Sequence, residues 1–227
     1  MASYKPSMWL PLLSGSVGAT VFSHNAGGHY IRNLAIPVNP QSVRQLFIRN
    51  ALASQAQAWR GLTDAQRQTW ILGALNFPIT DPFGDTIILS GEQLFIQLNT
   101  ALINTSQPLL TFCPSPQSIT GYTSLTLTAS NILVSAAFTP TPTPAAQSTV
   151  VYATRPLSAG INFFGTEFRQ IAVLGVGVAS PANLTVAYTA KFGAPPPLGS
   201  RVAVKFVPVS NVSGQIGNPG IIATDIS

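Results

Sequence analysis

Charge is the scarcest property of this chain. Lys, Arg, Asp and Glu make up 7% of its 227 residues, against roughly a quarter of an average soluble domain. A monomer with so few charges has little of the electrostatic repulsion that opposes association, so the composition predicts an obligate oligomer whose surface is largely covered by neighbours. Cysteine is nearly missing too. The single thiol, Cys113, sits in Phe-Cys-Pro-Ser-Pro, which excludes an intramolecular disulfide and a structural zinc cluster. No long hydrophobic run exists: the longest, Ile171 to Ala179, holds nine residues, two of them glycine, far short of the ~20 that span a bilayer. The first residues show no positively charged segment leading into an apolar core of signal-peptide length, so neither an export signal nor a membrane contact is expected. Hydrophobic residues nevertheless reach 46%, enough for a sizeable core.

Catalytic chemistry is equally thin. A nucleophile needs a base in reach and a group that orients the base. The two histidines, His24 and His29, flank a predicted turn, and the nearest acid in sequence is Asp64. Two histidines across a hairpin can face each other, but no carboxylate or thiolate lies near to complete a metal site. Asp81, Asp85 and Glu92 are the only acids between 71 and 119, and their setting, Asp-Pro-Phe-Gly-Asp followed by Ser-Gly-Glu, is turn and helix-cap chemistry. Gly175-Val-Gly177 is half of a dinucleotide fingerprint, at a strand end with no helix to follow. The expectation is therefore no enzyme, no cofactor, no metal and no small-molecule substrate.

What the chain does have begins with Gly15 to Arg49. Val17–Ser23 and Tyr30–Val38 are β-branched or aromatic runs, and Asn25-Ala26-Gly27-Gly28 between them tolerates positive φ, which predicts a hairpin. Asn39 as cap and Pro40 in the first turn predict a helix over 41–60. This stretch, G-S-V-G-x-x-V-F-S-x-N-x-G-G-x-Y-I-R and then P-V-N-P-x-S-x-x-Q-x-x-x-R, resembles an uncharacterised family of virion or structural-gene products encoded in tailed bacteriophages and prophages. The likeness continues over the first half, through Trp59, Leu62–Trp70, Ile79–Asp85 and Leu89–Ile96. The resemblance implies a virion location after synthesis in the host cytoplasm, with other virion proteins as partners.

The helix at 41–60 carries a wide apolar face, and Arg49 and Arg60, eleven positions apart, fall about 20° from each other on its polar side. Thr63 with Gln66 and Ser90 with Gln93 are capping boxes that open a second helix, reaching about Leu75, and a third ending near Asn104. Trp59 and Trp70 are expected to be buried together where the first two helices meet. Residues 106–120 carry prolines and no periodicity, a linker. Beyond it come seven β-branched and aromatic runs: Tyr122–Thr128, Ile132–Phe138, Ser148–Ala153, Phe168–Leu174, Leu184–Lys191, Arg201–Val209 and Ile221–Ile226.

The fold class read from this is α+β and multidomain: an N-terminal arm and β-hairpin (1–38), a small three-helix domain (39–105), the Pro-rich linker (106–120) and a seven-stranded immunoglobulin- or fibronectin-III-like β-sandwich (121–227). A jelly roll is the alternative. Charge alternates along the chain: 1–70 hold six bases and one acid, 71–119 three acids and no base, 120–227 five bases and two acids. Such alternation suits head-to-tail contacts between copies, or reflects a few charges scattered by chance along the chain.

The function expected is a non-enzymatic structural protein making repeated contacts, as head decoration, cement or minor capsid component or as a tail or neck component. The candidate interface residues are Met8, Trp9, Leu10, His24, His29, Arg32, Arg49 and Arg60. One alternative is nucleic-acid binding through the arginine-bearing helices, which the broad apolar face and modest arginine density disfavour. The other is a surface adhesion module.

Overall fold

The computed structural model of the chain describes residues 2–3, 13–25, 28–36, 38–80 and 84–226. It is a mixed α+β protein with four α-helices and several antiparallel sheets, divided into two compact units, 1–46 and 47–227. The sequence reading placed boundaries at 38/39 and across 106–120. The compact units part once, inside the first helix, because the chain after that point is fastened together at many places.

The first unit is a four-stranded antiparallel sheet of β1 (Ala2–Ser3), β2 (Gly15–Val17), β3 (Thr20–Asn25) and β4 (Gly28–Asn33), in the order β1-β4-β3-β2. The run expected as one strand from Val17 to Ser23 is broken: Gly18, at φ 56°, turns the chain so that Val17 pairs back onto Thr20. The second strand stops at Asn33 rather than Val38. Leu34 N–H donates to Ala19 C=O at 2.7 Å, and the apolar residues that follow, Ile36 and Val38, are 87% and 88% exposed. No described side chain of this unit is buried.

Helix α1 (Val43–Gly61) starts two residues later than Asn39-Pro40 predicted. Asn39 Oδ1 accepts from Gln41 N–H in a local turn, and Gln41 adopts φ 49°, a left-handed conformation that helix cannot contain. The cap is Ser42. Its Oγ accepts from Gln45 N–H while Gln45 Oε1 accepts from Ser42 N–H, the reciprocal pairing of a capping box. Helix α2 (Asp64–Gly73), continued by a 3-10 turn over Ala74–Asn76, and α3 (Gly91–Asn104) open on the two boxes expected of them, at Thr63 and Ser90. Between them β5 (Ile79–Thr80) and β6 (Thr86–Ile87) form a minimal two-stranded ribbon.

Helices α2 and α3 approach closely because residue 91 is glycine: a Cβ there would stand 2.8 Å from the backbone nitrogen of Ile71. Trp70, with no exposed surface, packs edge-on against Phe95 at 5.2 Å between ring centroids. Trp59 reaches the same ring from the other helix at 5.5 Å, so the two tryptophans share Phe95 as a neighbour. Trp70 is buried and Trp59 only half-buried.

The remaining strands are β7 (Ser124–Ala129), β8 (Val134–Thr139), β9 (Gln147–Ala153), β10 (Leu157–Ser158), β11 (Arg169–Leu174), β12 (Ala182–Asn183), β13 (Ser200–Ser210) and β14 (Gly220–Asp225). They make two antiparallel sheets, one ordered β12-β8-β7, the other with β13 between β14 and β9, β11 beyond β9, and β10 on the end of β13. Alternate residues of β8 and β13, among them Val134, Ala136, Phe138, Val202, Val204 and Phe206, enter one common core, the period-2 pattern of half-buried strands.

One expected strand, Leu184–Lys191, is a helix: α4 (Thr185–Phe192). Its β-branched alternation lost to a four-residue repeat. Leu184 and Tyr188 are both buried, Phe192 lies 4.7 Å from the Tyr188 ring, and Gly193 closes the helix at φ 88°, the left-handed position that favours glycine. Thr185 Oγ1 then accepts from Val134 N–H at 3.0 Å, tying the helix to β8.

The segment expected as a Pro-rich linker, 106–120, is fastened on both sides like a strap. Leu110 N–H donates to Asn99 Oδ1 at 2.8 Å, Trp70 Nε1–H to Thr111 C=O at 3.0 Å, and Cys113 N–H to Thr69 Oγ1 at 3.2 Å. On the other side Gln117 N–H donates to Gln215 Oε1 at 2.6 Å. The helices meet the larger sheet directly as well: Ala101 packs with Val150, Val207 and Val209, and a Cβ on Gly214 would overlap the carbonyl of Leu98.

Candidate interaction surfaces

The residues singled out from sequence fall into three groups. Met8, Trp9 and Leu10 lie outside the described residues. His24 and His29 are direct cross-strand partners in the β3–β4 ladder, with ring centroids 5.8 Å apart and planes tilted by 43°. Among the described residues no group of three His, Cys, Asp or Glu side chains is placed to hold a metal ion. Arg32 is exposed on β4, opposite Val21.

Arg49 and Arg60 are both exposed on α1, on the same side by helical periodicity and about 16 Å apart along its axis. Arg67 is committed elsewhere. Its guanidinium donates to the Trp59 carbonyl at 3.4 Å and the Arg60 carbonyl at 2.7 Å, and pairs with Asp64 at 3.1 Å. It therefore closes the C-terminal end of α1, where the helix dipole favours a cation. That removes one of the four helix arginines from any phosphate-binding set.

The face of α1 is more informative than its charges. Only Ala51 and Gln55 are buried along its nineteen residues, while Val43, Leu46, Phe47, Ile48 and Leu52 are exposed. Gln55 is the buried polar residue that sequence reasoning passed over. Its amide is hydrogen-bonded at 3.1 Å to Thr100 Oγ1, which in turn donates to the Ile96 carbonyl at 2.6 Å, so a polar side chain on a buried face is satisfied from α3. Nothing in its neighbourhood in sequence marks it; the partner is forty-five residues away.

A cavity of about 270 Å³ lies between the helices and the β13–β14 loop, lined among others by Phe77, Leu94, Gln97, Leu98 and Gln215. No lining residue titrates, so it offers hydrogen bonds from amides and no acid, base or nucleophile. The groups that burial does perturb stand elsewhere. Desolvation raises the Cys113 thiol, the Tyr122 phenol, whose hydrogen bond with Thr149 partly offsets the effect, and the Tyr188 phenol, which donates to the Thr154 carbonyl at 3.2 Å. A raised thiol is a poorer nucleophile near neutrality, and Cys113 sits in the strap against Gly73. These are packing residues.

The geometry thus defines an α+β protein with exposed apolar side chains on α1, α2 and the first unit. Compared with known proteins, the chain matches no family model, no curated protein and no solved structure. No helix among the described residues is long and apolar enough to cross a membrane.

Proposed function

We propose that this chain is a non-enzymatic structural protein of a bacteriophage particle, making repeated protein–protein contacts as a head decoration, cement or minor capsid component or as a tail or neck component. The observation that carries the reading is the first unit: four paired strands with no buried side chain among the described residues, followed by a helix on which Val43, Leu46, Ile48 and Leu52 are exposed. A sheet or helix that buries neither face within its own unit requires cover from another layer. The low charge of the chain removes the usual obstacle to such cover, and the N-terminal motif supplies the phage context.

The C-terminal region is read as an immunoglobulin- or fibronectin-III-like sandwich. What supports this is strand order: β12-β8-β7 on one side of the common core and β14-β13-β9-β11 on the other, with the two-residue β10 added at the end of β13, a two-sheet antiparallel arrangement of that kind. Helix α4 stands in the connection between β12 and β13. Such a module presents surfaces and loops without requiring chemistry.

The nucleic-acid alternative loses ground because Arg67 closes a helix end and Arg49 and Arg60 flank an exposed apolar face. The test is direct. Particles purified on a density gradient should contain the protein at a fixed copy number, and antibodies should place it at one site. Its confinement to the soluble fraction of infected cells would refute the proposal, and salt-sensitive DNA affinity that disappears in R49A/R60A would replace it.

A further inference from the structure

We infer that the cavity between α3 and the β13–β14 loop binds a neutral saccharide unit carrying an acetamido group. The inference goes beyond the structural role proposed above and is independent of it, since it concerns what the cavity walls accept and not where the chain resides.

Three segments far apart in sequence build the cavity. Helix α3 contributes Leu94, Gln97 and Leu98, whose spacing of three and four residues puts them on one face. The end of the 3-10 turn contributes Asn76 and Phe77, and the loop after β13 contributes Gln215. That loop is pinned to its own strand: Gly214 N–H donates to Ser210 C=O and Ser210 N–H to Gln215 C=O, both at 2.9 Å, and Val209 bridges Ile216. Residue 214 is glycine for two reasons, a φ of 71° and its approach to the Leu98 carbonyl. The walls are therefore formed before a ligand arrives, which lowers the ordering cost of binding.

The lining combines an apolar floor with free amides. Phe77, Leu94 and Leu98 are buried, while Asn76 and Gln97 are exposed at the mouth. The side-chain amides of Asn76 and Gln97 make no hydrogen bond to another described residue. Gln215 is held more firmly: its Oε1 accepts from Gln117 N–H at 2.6 Å and from Ser213 Oγ at 3.1 Å, which leaves Nε2 as a positioned donor.

This chemistry sorts the ligand classes. A charged group would enter without a counter-charge, since no lining residue is ionisable, and an unpaired buried charge is costly. A wholly apolar ligand would strip water from the amides and return no partner. A volume of about 270 Å³ admits one ring-sized unit and not an extended cofactor. A pyranose suits it, because hydroxyls both donate and accept, as amides do. The acetamido group adds a methyl for the floor and a second amide to pair with those at the mouth.

Three sugars that differ at one ring position test this on the full-length chain: N-acetylglucosamine, glucose and glucosamine. Protein resonances should report saturable binding of N-acetylglucosamine, with shifts centred on Phe77, Gln97 and Gln215. Glucose should bind at least about tenfold more weakly for want of the methyl and the amide, and the cationic glucosamine should show no binding. Asn76→Ala and Gln97→Ala change exposed positions, so both should melt with the natural chain, and each should weaken binding about fivefold. The inference falls if N-acetylglucosamine fails to saturate the chain up to about 50 mM, if its shifts lie elsewhere, if the three sugars bind alike, or if both alanine variants bind undiminished. It falls equally if N-acetylglycinamide, an amide without the ring, binds as tightly, which would make the cavity a peptide site. Presence in particles alters none of these outcomes, so this inference and the structural reading fail separately.

Discussion

Residues 13–46 and residues 47–227 handle the same kind of side chain in opposite ways. In the second unit Trp70, Phe95, Tyr188 and Phe206 are wholly or almost wholly enclosed, and the polar groups that go in with them find partners, as Gln55 does in Thr100. In the first unit Val17, Leu34, Ile36, Val38, Val43 and Leu46 lie open and Leu13, Val21 and Ile31 are only half-buried, although the backbone of its strands is as regularly paired. The difference shows that strand pairing and core formation are separate achievements. Ladder hydrogen bonds satisfy the backbone; they contribute only modestly to net stability, because water serves the unfolded chain almost as well. Burial supplies the larger share, and none of the described side chains of the first unit is buried.

The comparison breaks most visibly at Trp70. Trp70→Ala should cost the second unit ~3–5 kcal/mol in denaturant unfolding, because an enclosed indole and its bond to the Thr111 carbonyl are lost together, while Trp59→Ala, half-exposed on the same Phe95 ring, should cost about 1–2 kcal/mol. Equal losses would place both rings in one enclosed site.

Alkaline pH sharpens the contrast next. Tyr188, Tyr122 and Cys113 all keep their protons in the folded second unit beyond the ordinary values of 10.0 and 9.0. The unfolded chain releases those protons first, so it is favoured as pH rises. Melting temperature should be level through neutrality and fall progressively above pH 9, and Tyr188→Phe should lessen the fall while costing about 1 kcal/mol for the bond to Thr154. A melting temperature that rises above pH 10 would contradict the burial of these groups.

The smallest effect is the most telling. Removal of residues 1–38 leaves the Ser42 cap of α1 in place, and none of the described side chains it takes away is buried, so the remaining chain should melt within about 1 kcal/mol of the intact one. Assembly should nevertheless be lost. A large drop in melting temperature would mean that the first unit supports the second.

The same contrast explains how much could be read in advance. The boxes at Thr63 and Ser90 announced α2 and α3 because a cap is written in four consecutive residues. At the start of α1 two local signals competed, Asn39-Pro40 and Ser42-Val43-Arg44-Gln45, and the reciprocal pairing of Ser42 with Gln45 prevailed once Gln41 had taken positive φ. Six of the seven expected strands occur. Leu184–Lys191 failed because Leu184, Val186 and Tyr188 stand at every second position, although Leu184, Tyr188, Phe192 and then Gly193 carried the helix at four-residue spacing. The strap was illegible for a different reason: its fastening depends on Asn99, Thr69, Trp70 and Gln215, and no local pattern links prolines near 114 to an amide a hundred residues on. Of the candidate surfaces, the opposition of His24 and His29 followed from the hairpin register, whereas the open face of α1 emerged only when the core had been located elsewhere.

The guanidinium of Arg67 has a mechanical consequence. The corner from Gly61 to Thr63 is short and begins with glycine, the kind of connection at which two helices swing. Yet Arg67, rooted in α2, grips the Trp59 and Arg60 carbonyls at the end of α1, which gives any load on α1 a second route into α2 that bypasses the corner. With two routes in parallel the joint is braced as a bracket instead of a hinge, and a force on α1 passes into the Trp70–Phe95 layer through Arg67 as well as through the corner.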